Sequence, residues 1–317
     1  MTHEIPPGLP GLPAPPPPGA AALPAGTYAG QVVLVTGGGS GLGKAIAAEF
    51  ARLGADLVLA GRRAERLEAA QAELAAVPGA GRVTAAVCDI RDPERIAEVF
   101  DAAEAALGPP DVLVNNAAAN FPCPAEDLSP NAWRAVVDIT LTGTWFMTRE
   151  FGRRHLAASA PGSIVNIGAS YAWTGGPGFA HSAAAKAGVK NLVETLAVEW
   201  GPYGIRINGL VPGLFPHADM TEDIRAGLDR AASDAPDAHA APDALVARDA
   251  KDARQPALRV GAPRELGWAA TFLASPYARF ITGHTLVVDG ANWQRRSLVS
   301  PEVVPVRAQL GRGPFSP

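Results

Sequence analysis

Beyond residue 30 the chain alternates between two hydrophobic rhythms. Short runs that are apolar almost throughout, "VVLVT" (32–36), "DLVLA" (56–60), "RVTAAV" (82–87), "DVLVN" (111–115), "SIVNI" (163–167), "IRING" (205–209) and "HTLVV" (284–288), are separated by longer, helix-patterned segments. The short runs read as strands buried on both faces, and the longer segments as helices, the first from Leu42 to Leu53. Two helix starts carry a capping residue followed by proline at the first helical position, Asp92-Pro93 and Ser129-Pro130. Apolar strands alternating with helices imply an α/β fold, a doubly wound parallel sheet covered on both sides.

Three stretches break the rhythm. Residues 1–27 are rich in proline, alanine and glycine, and proline offers no donor to helix or sheet. They are expected to form a disordered tail, either a dispensable extension or a polyproline ligand for a partner. Residues 219–257 are rich in alanine and aspartate and only weakly periodic; they are expected to be a helical excursion over the strand ends, a substrate lid or a variable insertion. Residues 297–317 form a C-terminal extension, which leaves 28–296 as one Rossmann-type domain.

Composition narrows the function classes. At 317 residues and 48% hydrophobic content the chain is long enough to bury a substantial core. A net charge of −4 speaks against nucleic acid and against a polybasic membrane patch. Two cysteines, Cys88 and Cys123, make no disulfide framework and fit a reducing cytoplasm. No apolar run reaches the roughly 18 residues of a membrane span. The six histidines lack metal-ligand spacing, so no metal is expected.

Candidate chemistry begins directly after the first strand. "TGGGSGLGK" (36–44) supplies Gly37, Gly38, Gly39, Ser40, Gly41, Leu42 and Gly43 between that strand and the first helix. Glycines there let the backbone approach a pyrophosphate, and the helix N-terminus offers unpaired N–H groups to it. The second strand ends in Gly61-Arg62 where an acidic residue would select NAD. The arginine leaves room and charge for a 2′-phosphate, so NADPH is the expected cofactor; the other reading makes Arg62 and Arg63 solvated residues at a helix start.

The stretch "SYAWTGGPGFAHSAAAK" (170–186) raises a question. A Tyr-x-x-x-Lys pair would place a tyrosine four residues before Lys186, whereas here Ser182 stands there and the nearest tyrosine, Tyr171, lies eleven residues before Ser182. Ser182 and Lys186 share one face of a helix, and Tyr171 follows a strand at the carboxyl edge of the sheet, where open α/β folds bind ligands.

With "TGGGSGLG" (36–43), "NNAA" (115–118), "AAAKAGV" (183–189), "IRIN" (205–208) and "PG" (212–213), residues 30–295 resemble a short-chain dehydrogenase/reductase. Within it, "CDIRDP" (88–93), "NNAAANF" (115–121), "LSPNAW" (128–133) and the spacing of Tyr171, Ser182 and Lys186 resemble the 2,4-dienoyl-CoA reductases. That resemblance implies that Tyr171 and Asn120 hydrogen-bond the thioester carbonyl, Ser182 orders the substrate or a water, and Lys186 holds the nicotinamide ribose. It also implies cofactor contacts from Asp89, Asn116, Pro212, Gly213, Leu214 and Phe215, and acyl-CoA contacts from Arg91, Phe121 and Ser129. A homo-oligomer, a tetramer as in many relatives, is a further implication.

Two departures bear on the substrate: His217 stands where a threonine often contacts the nicotinamide amide, and only Arg225, out of register, approximates a CoA-binding arginine. The expected activity is NADPH-dependent reduction of a 2,4-dienoyl-CoA to a 3-enoyl-CoA, in which a charged Lys186 would favour the ionised Tyr171 phenol. A carbonyl or 3-oxoacyl reductase and a non-catalytic NADPH-binding scaffold are the alternatives. Ser182 in place of tyrosine, and Thr140 in place of an asparagine in "DITLTGT" (138–144), count against ketone reduction.

Overall fold

A computed structural model describes residues 12–17, 19–217, 255–294 and 305–313. Expectations for residues 1–11 and 219–254, and for 297–304 and 314–317, lie outside these described residues, as does Arg225.

All seven apolar runs are strands: β1 (Val32–Thr36), β2 (Asp56–Gly61), β3 (Val83–Val87), β4 (Val112–Asn115), β5 (Gly162–Ile167), β6 (Ile205–Pro212) and β7 (Thr285–Val288). They form one sheet in the order β3-β2-β1-β4-β5-β6-β7, every neighbouring pair parallel. β6 continues past the expected Gly209 because its "GLVP" end is paired with β5 on one side and β7 on the other.

The helices are α1 (Gly41–Arg52), α2 (Ala64–Ala75), α3 (Pro93–Ala106), α4 (Pro130–Val137), α5 (Gly143–Ala158), α6 (Tyr171–Thr174), α7 (Ala180–Trp200), α8 (Pro263–Ala274) and α9 (Val306–Gln309). The sequence-marked caps form: Asp92 Oδ1 accepts from the Glu94 and Arg95 amides at 3.0 and 3.1 Å, and Ser129 Oγ accepts from Ala132 N at 3.2 Å.

The apolar runs alternate between two cores. On β1, Val33 and Val35 face one core with Phe50 of α1 and Leu266 of α8, while Val32 and Leu34 face the other with Phe100, Phe151 and Trp200 from α3, α5 and α7. That two-sided burial is why the strands read as continuous hydrophobic runs. Connections leave β1 and β4 on opposite faces, which opens a crevice at their carboxyl ends.

Part of the expected tail is docked on the body. Leu12 N donates to Ala257 O at 2.9 Å, and Arg259 and Arg264 donate to the Pro13 and Pro16 carbonyls, each at 2.9 Å. A proline-rich segment keeps its carbonyl acceptors free of regular pairing, and two arginines take them up. Tyr28, at the expected domain boundary, is fully buried against Phe50 and donates to Thr271 O. Among the described residues no helix is long and apolar enough to cross a membrane.

Candidate active site

The crevice between the β1 and β4 ends holds a cavity of about 630 Å³ bordered by Gly37, Gly39, Ser40, Gly41 and Leu42. The loop is shaped by close backbone approach. Gly37 has φ +66°, and a Cβ there would stand 2.8 Å from Asn116 Nδ2. A Cβ on Gly43 would overlap the Gly37 carbonyl. Gly38 faces inward onto Leu59 and Val35, so it shapes the turn without bordering the cavity.

Beneath the loop, the buried Thr36 hydroxyl accepts from the Asn116 and Ala117 amides at 3.0 and 3.1 Å, and Asn116 Nδ2 donates to Thr36 O at 3.1 Å. Asn116 thus borders the cavity while bracing the end of β4 against β1. Thr36 went unremarked in the sequence because its role depends on two strand ends meeting.

The far end of the cavity is basic. Arg62, Arg63 and Arg66 border it at the end of β2, across from Asp89. Asp89 is held by Arg91, whose Nε donates to Oδ1 at 3.0 Å and Nη2 to Oδ2 at 2.5 Å. These bonds, with Arg62 nearby, keep the Asp89 carboxyl below its ordinary range. The expected acyl-CoA residue Arg91 is therefore engaged with the expected adenine residue Asp89.

The segment after β6 divides between two cavities. Pro212 ends β6, Gly213 packs on Asp289, and Phe215 is buried in the core. Leu214 and Phe215 border a separate cavity of about 330 Å³ with Gln255, Arg259 and Trp293. His217 borders the main cavity in their place, its ring 3.2 Å from where a Cβ on Gly41 would stand.

On the opposite wall, three loops bring the expected catalytic groups together. Tyr171 begins the single turn of α6 after β5, and Ser182 and Lys186 lie in the first turns of α7. The Tyr171 hydroxyl is 2.9 Å from Ser182 Oγ, and Asn120 Nδ2 donates to it at 3.4 Å. Asn120 and Lys186 border the cavity directly. Lys186 Nζ donates to Ile167 O at 2.5 Å, and its burial pulls its pKa down to about 8.

Burial raises the Tyr171 pKa, only partly offset by Ser182, so the phenol stays protonated. The direction is opposite to the one expected from a charged Lys186, because desolvation penalises the phenolate. A protonated phenol is the form that donates to a developing oxyanion.

Thr140 is fully buried where α4 passes into α5 through a π-helical turn, Asp138–Thr142. Its Oγ1 accepts from Ala119 N at 3.2 Å and donates to Ala119 O at 3.3 Å, which fixes the residue before Asn120. Such bulges often mark functional sites. The sequence treated Thr140 only as a missing asparagine. Of the expected acyl-CoA residues, Phe121 packs edge-on against His181 at 4.5 Å, and Ser129 caps α4.

Residues 37–291 match the family described as enoyl-(acyl carrier protein) reductase. The chain is a short-chain dehydrogenase/reductase. One relative of this short-chain dehydrogenase/reductase, 38% identical over 83% of the chain and 96% of its own length, is named probable 2,4-dienoyl-CoA reductase [(2E)-enoyl-CoA-producing] from Bacillus subtilis. Another is peroxisomal 2,4-dienoyl-CoA reductase [(3E)-enoyl-CoA-producing] from Rattus norvegicus, 37% identical over 83% of the chain and 84% of its own length. A solved short chain dehydrogenase from Bacillus anthracis is 37% identical, covers 83% of this chain and 96% of its own, and superposes with a TM-score of 0.69.

The family binds a nicotinamide dinucleotide, and this site fits one. The loop at Gly37 and Gly43 has no room for a Cβ, the N-terminus of α1 opens at Gly41, and the cavity continues past it to the arginines. When bound, that group supplies hydride.

Proposed function

We propose that the protein reduces 2,4-dienoyl-CoA thioesters to 3-enoyl-CoA with NADPH, an auxiliary step in the oxidation of unsaturated fatty acids. The observation that carries this reading is the contact set Asn120–Tyr171–Ser182 beside the glycine-loop cavity, drawn from segments 51 and 11 residues apart. Ser182 occupies the position of the ketoreductase tyrosine, and Tyr171 fills the role from another loop.

Hydride addition at the far end of the diene drives negative charge onto the thioester oxygen. Tyr171 and Asn120 Nδ2 supply two donors to that oxygen. With Ser182 donating to the phenol oxygen, the phenol proton is free for the substrate. Lys186, anchored on Ile167 O, holds the nicotinamide ribose. The resulting dienolate gives a 3-enoyl product when protonated at C2 and a 2-enoyl product when protonated at C4, so the position of the proton source decides the product.

Arg62, with Arg63 and Arg66 beside it, supports NADPH over NADH, since a 2′-phosphate entering there meets guanidinium groups and no acidic residue at the end of β2. Arg62→Ala is expected to raise the Kd for NADPH about tenfold or more, the loss of one charge-assisted hydrogen bond, and to leave NADH within a factor of about two. Equal effects on both would rule out this assignment.

The setting we propose is a cytoplasmic homotetramer. Phe280, Tyr277 and Val198 are exposed apolar side chains of the kind that a second copy would cover.

The deciding experiment follows NADPH consumption with a 2,4-dienoyl-CoA, a trans-2-enoyl-CoA and a 3-oxoacyl-CoA, with the product double bond located by NMR. Turnover of the dienoyl substrate to a 3-enoyl thioester is expected. Turnover of the 3-oxo substrate alone would identify a carbonyl reductase, and NADPH binding without turnover would identify a scaffold.

A further inference from the structure

Beside Ser182 lies a buried histidine to which the proposed reaction assigns no role. His181, the second residue of α7, is fully buried, and its Nδ1 accepts from Ser182 N at 2.8 Å. That contact requires a lone pair on Nδ1, so the neutral ring carries its proton on Nε2. Burial lowers the His181 pKa and favours this neutral form, against a hydrogen bond to the Phe179 backbone that raises it; the 2.8 Å contact from Ser182 N favours the tautomer with the proton on Nε2.

Nε2 has no hydrogen-bond partner among the described residues although it is buried. A buried N–H without an acceptor is costly, and a folded protein seldom retains one unless something fills the place. A second unpartnered atom belongs to the same cluster: Asn120 Oδ1 is buried and receives no donor among the described residues. The contacts close a ring. Asn120 meets Tyr171, Tyr171 meets Ser182, His181 accepts from Ser182, and the His181 ring packs against Phe121, the chain neighbour of Asn120.

One atom of the pair donates and the other accepts. A single water between them would satisfy both, because it accepts from an N–H and donates to a carbonyl. The consequence falls on the amide. The two ends of an asparagine side chain have nearly the same shape, so hydrogen bonds decide which end faces a neighbour. With Oδ1 held on the His181 side, Nδ2 faces Tyr171 and the substrate oxygen. With the amide reversed, a carbonyl dipole would oppose the charge that develops there.

We infer that His181 is a positioning residue whose Nε2–H, through one bridging water, locks the Asn120 amide with its nitrogen toward the reacting thioester oxygen. This rests on the dienoyl-CoA reductase reading for its chemical consequence but not for its geometry.

The test combines kinetics with crystallography of the full chain loaded with NADP. His181→Phe replaces the imidazole with a somewhat larger apolar ring and removes both Nε2–H and the Nδ1 acceptor for Ser182 N. It is expected to lower kcat about tenfold or more while the KM for the thioester changes by less than about threefold. In an Asn120→Ala background the same substitution is expected to have no further effect, because its route runs through the amide. An equal loss of kcat in both backgrounds would mean a merely structural role and would overturn the inference. His181→Gln, which can still pair with Ser182 N, is measured in both backgrounds if the phenylalanine variant does not fold. In the crystal, water density bridging Nε2 and Oδ1 supports the inference, and a protein partner for Nε2 overturns it. A wild-type enzyme inactive on every 2,4-dienoyl thioester would sink the function reading, and the crystal alone would then decide the geometry.

Discussion

The two walls of the cavity are built on opposite principles. The dinucleotide wall is mostly backbone: Gly37, Gly39 and Gly41 border the cavity because they carry no side chain, and Gly43 is packed where a Cβ would strike the Gly37 carbonyl. The substrate wall is mostly side-chain tips: the Asn120 amide borders the cavity, and the hydroxyls of Tyr171 and Ser182 are hydrogen-bonded in line beside it, carried by loops after β4 and β5 and by the start of α7. A wall made of absent atoms fails when an atom is added. A wall made of converging polar atoms fails when one is removed.

The largest effect is expected from removing one oxygen on the substrate wall. Tyr171→Phe deletes a hydroxyl that touches both Ser182 and Asn120. It is expected to lower kcat on a 2,4-dienoyl-CoA by about two to three orders of magnitude, the usual cost of one oxyanion donor. The Kd for NADPH, read by fluorescence titration, should stay within a factor of about two of wild type, since Tyr171 does not border the glycine loop. A fall in nucleotide affinity matching the fall in kcat would erase the distinction between the walls.

That distinction also separates what could be read in the sequence from what could not. The dinucleotide wall lies in a single stretch, 36–44, between a strand run and a helix run, so its chemistry is local and visible. The seven strands were legible for a related reason: burial on both faces leaves runs with no polar face. On the substrate wall, the resemblance pointed to Tyr171, Asn120 and Ser182, but their supports were hidden. Thr140 holds Ala119 only because the π-helical turn brings its hydroxyl to that loop, and His181 pairs with Ser182 through side-chain geometry that no spacing rule records. The burial that raises the Tyr171 pKa could not be read there either, because desolvation is a property of the packed structure. Leu214 and Phe215, expected at the cofactor, border a second cavity with Phe215 packed in the core, while His217 borders the main one, and only the folded chain shows that division.

The complementary experiment adds one carbon to the dinucleotide wall. Gly43→Ala brings a Cβ against Asn116 Nδ2 and the Gly37 carbonyl, and the Gly37 side of that clash is backbone that cannot swing aside. Overpacking of this kind costs about 1–3 kcal/mol, and the expected outcome is a lower melting temperature together with weakened NADPH binding. Addition of NADPH should restore less of the melting temperature than it does for wild type. A Gly43→Ala protein with wild-type nucleotide affinity would show that this wall tolerates added atoms after all.

Lys186 stands between the walls and gives the comparison a pH dependence. Its folded pKa of about 8 lies below the ordinary lysine value of 10.5, because burial penalises the charge. The unfolded chain therefore holds the proton more tightly than the folded one, and folding carries this penalty in full below about pH 8. As pH rises from about 8 to 10.5 the unfolded state also loses its proton and the penalty disappears. Lys186→Met removes the penalty and forfeits the hydrogen bond to Ile167 O. At pH 7 the variant is expected to be more stable than wild type by about 2 kcal/mol, roughly 3 from the charge less about 1 from the lost bond. Denaturant unfolding at pH 7 and pH 10 checks this, and an advantage that grows with pH would contradict the sign.

The smallest effect is expected at the rim of the substrate wall. Arg307 pairs with Asp127 at 2.7 Å and with Glu126 at 3.3 Å, and Arg312 pairs with Asp127 at 2.6 Å. These pairs tie α9 to the loop that runs from Asn120 toward α4, while Val306 of α9 lies against Gly178 of the loop between α6 and α7. The described C-terminal residues thus span the two loops whose meeting defines the substrate wall. Exposed ion pairs are screened by salt and individually weak. Asp127→Asn is therefore expected to raise the thioester KM by only about a factor of two at low salt, with the difference fading as ionic strength rises. Nucleotide affinity should not change at any salt concentration. If salt and Asp127→Asn instead move the NADPH Kd in parallel with the thioester KM, the two walls are mechanically one unit, and the backbone wall owes part of its shape to the loops opposite.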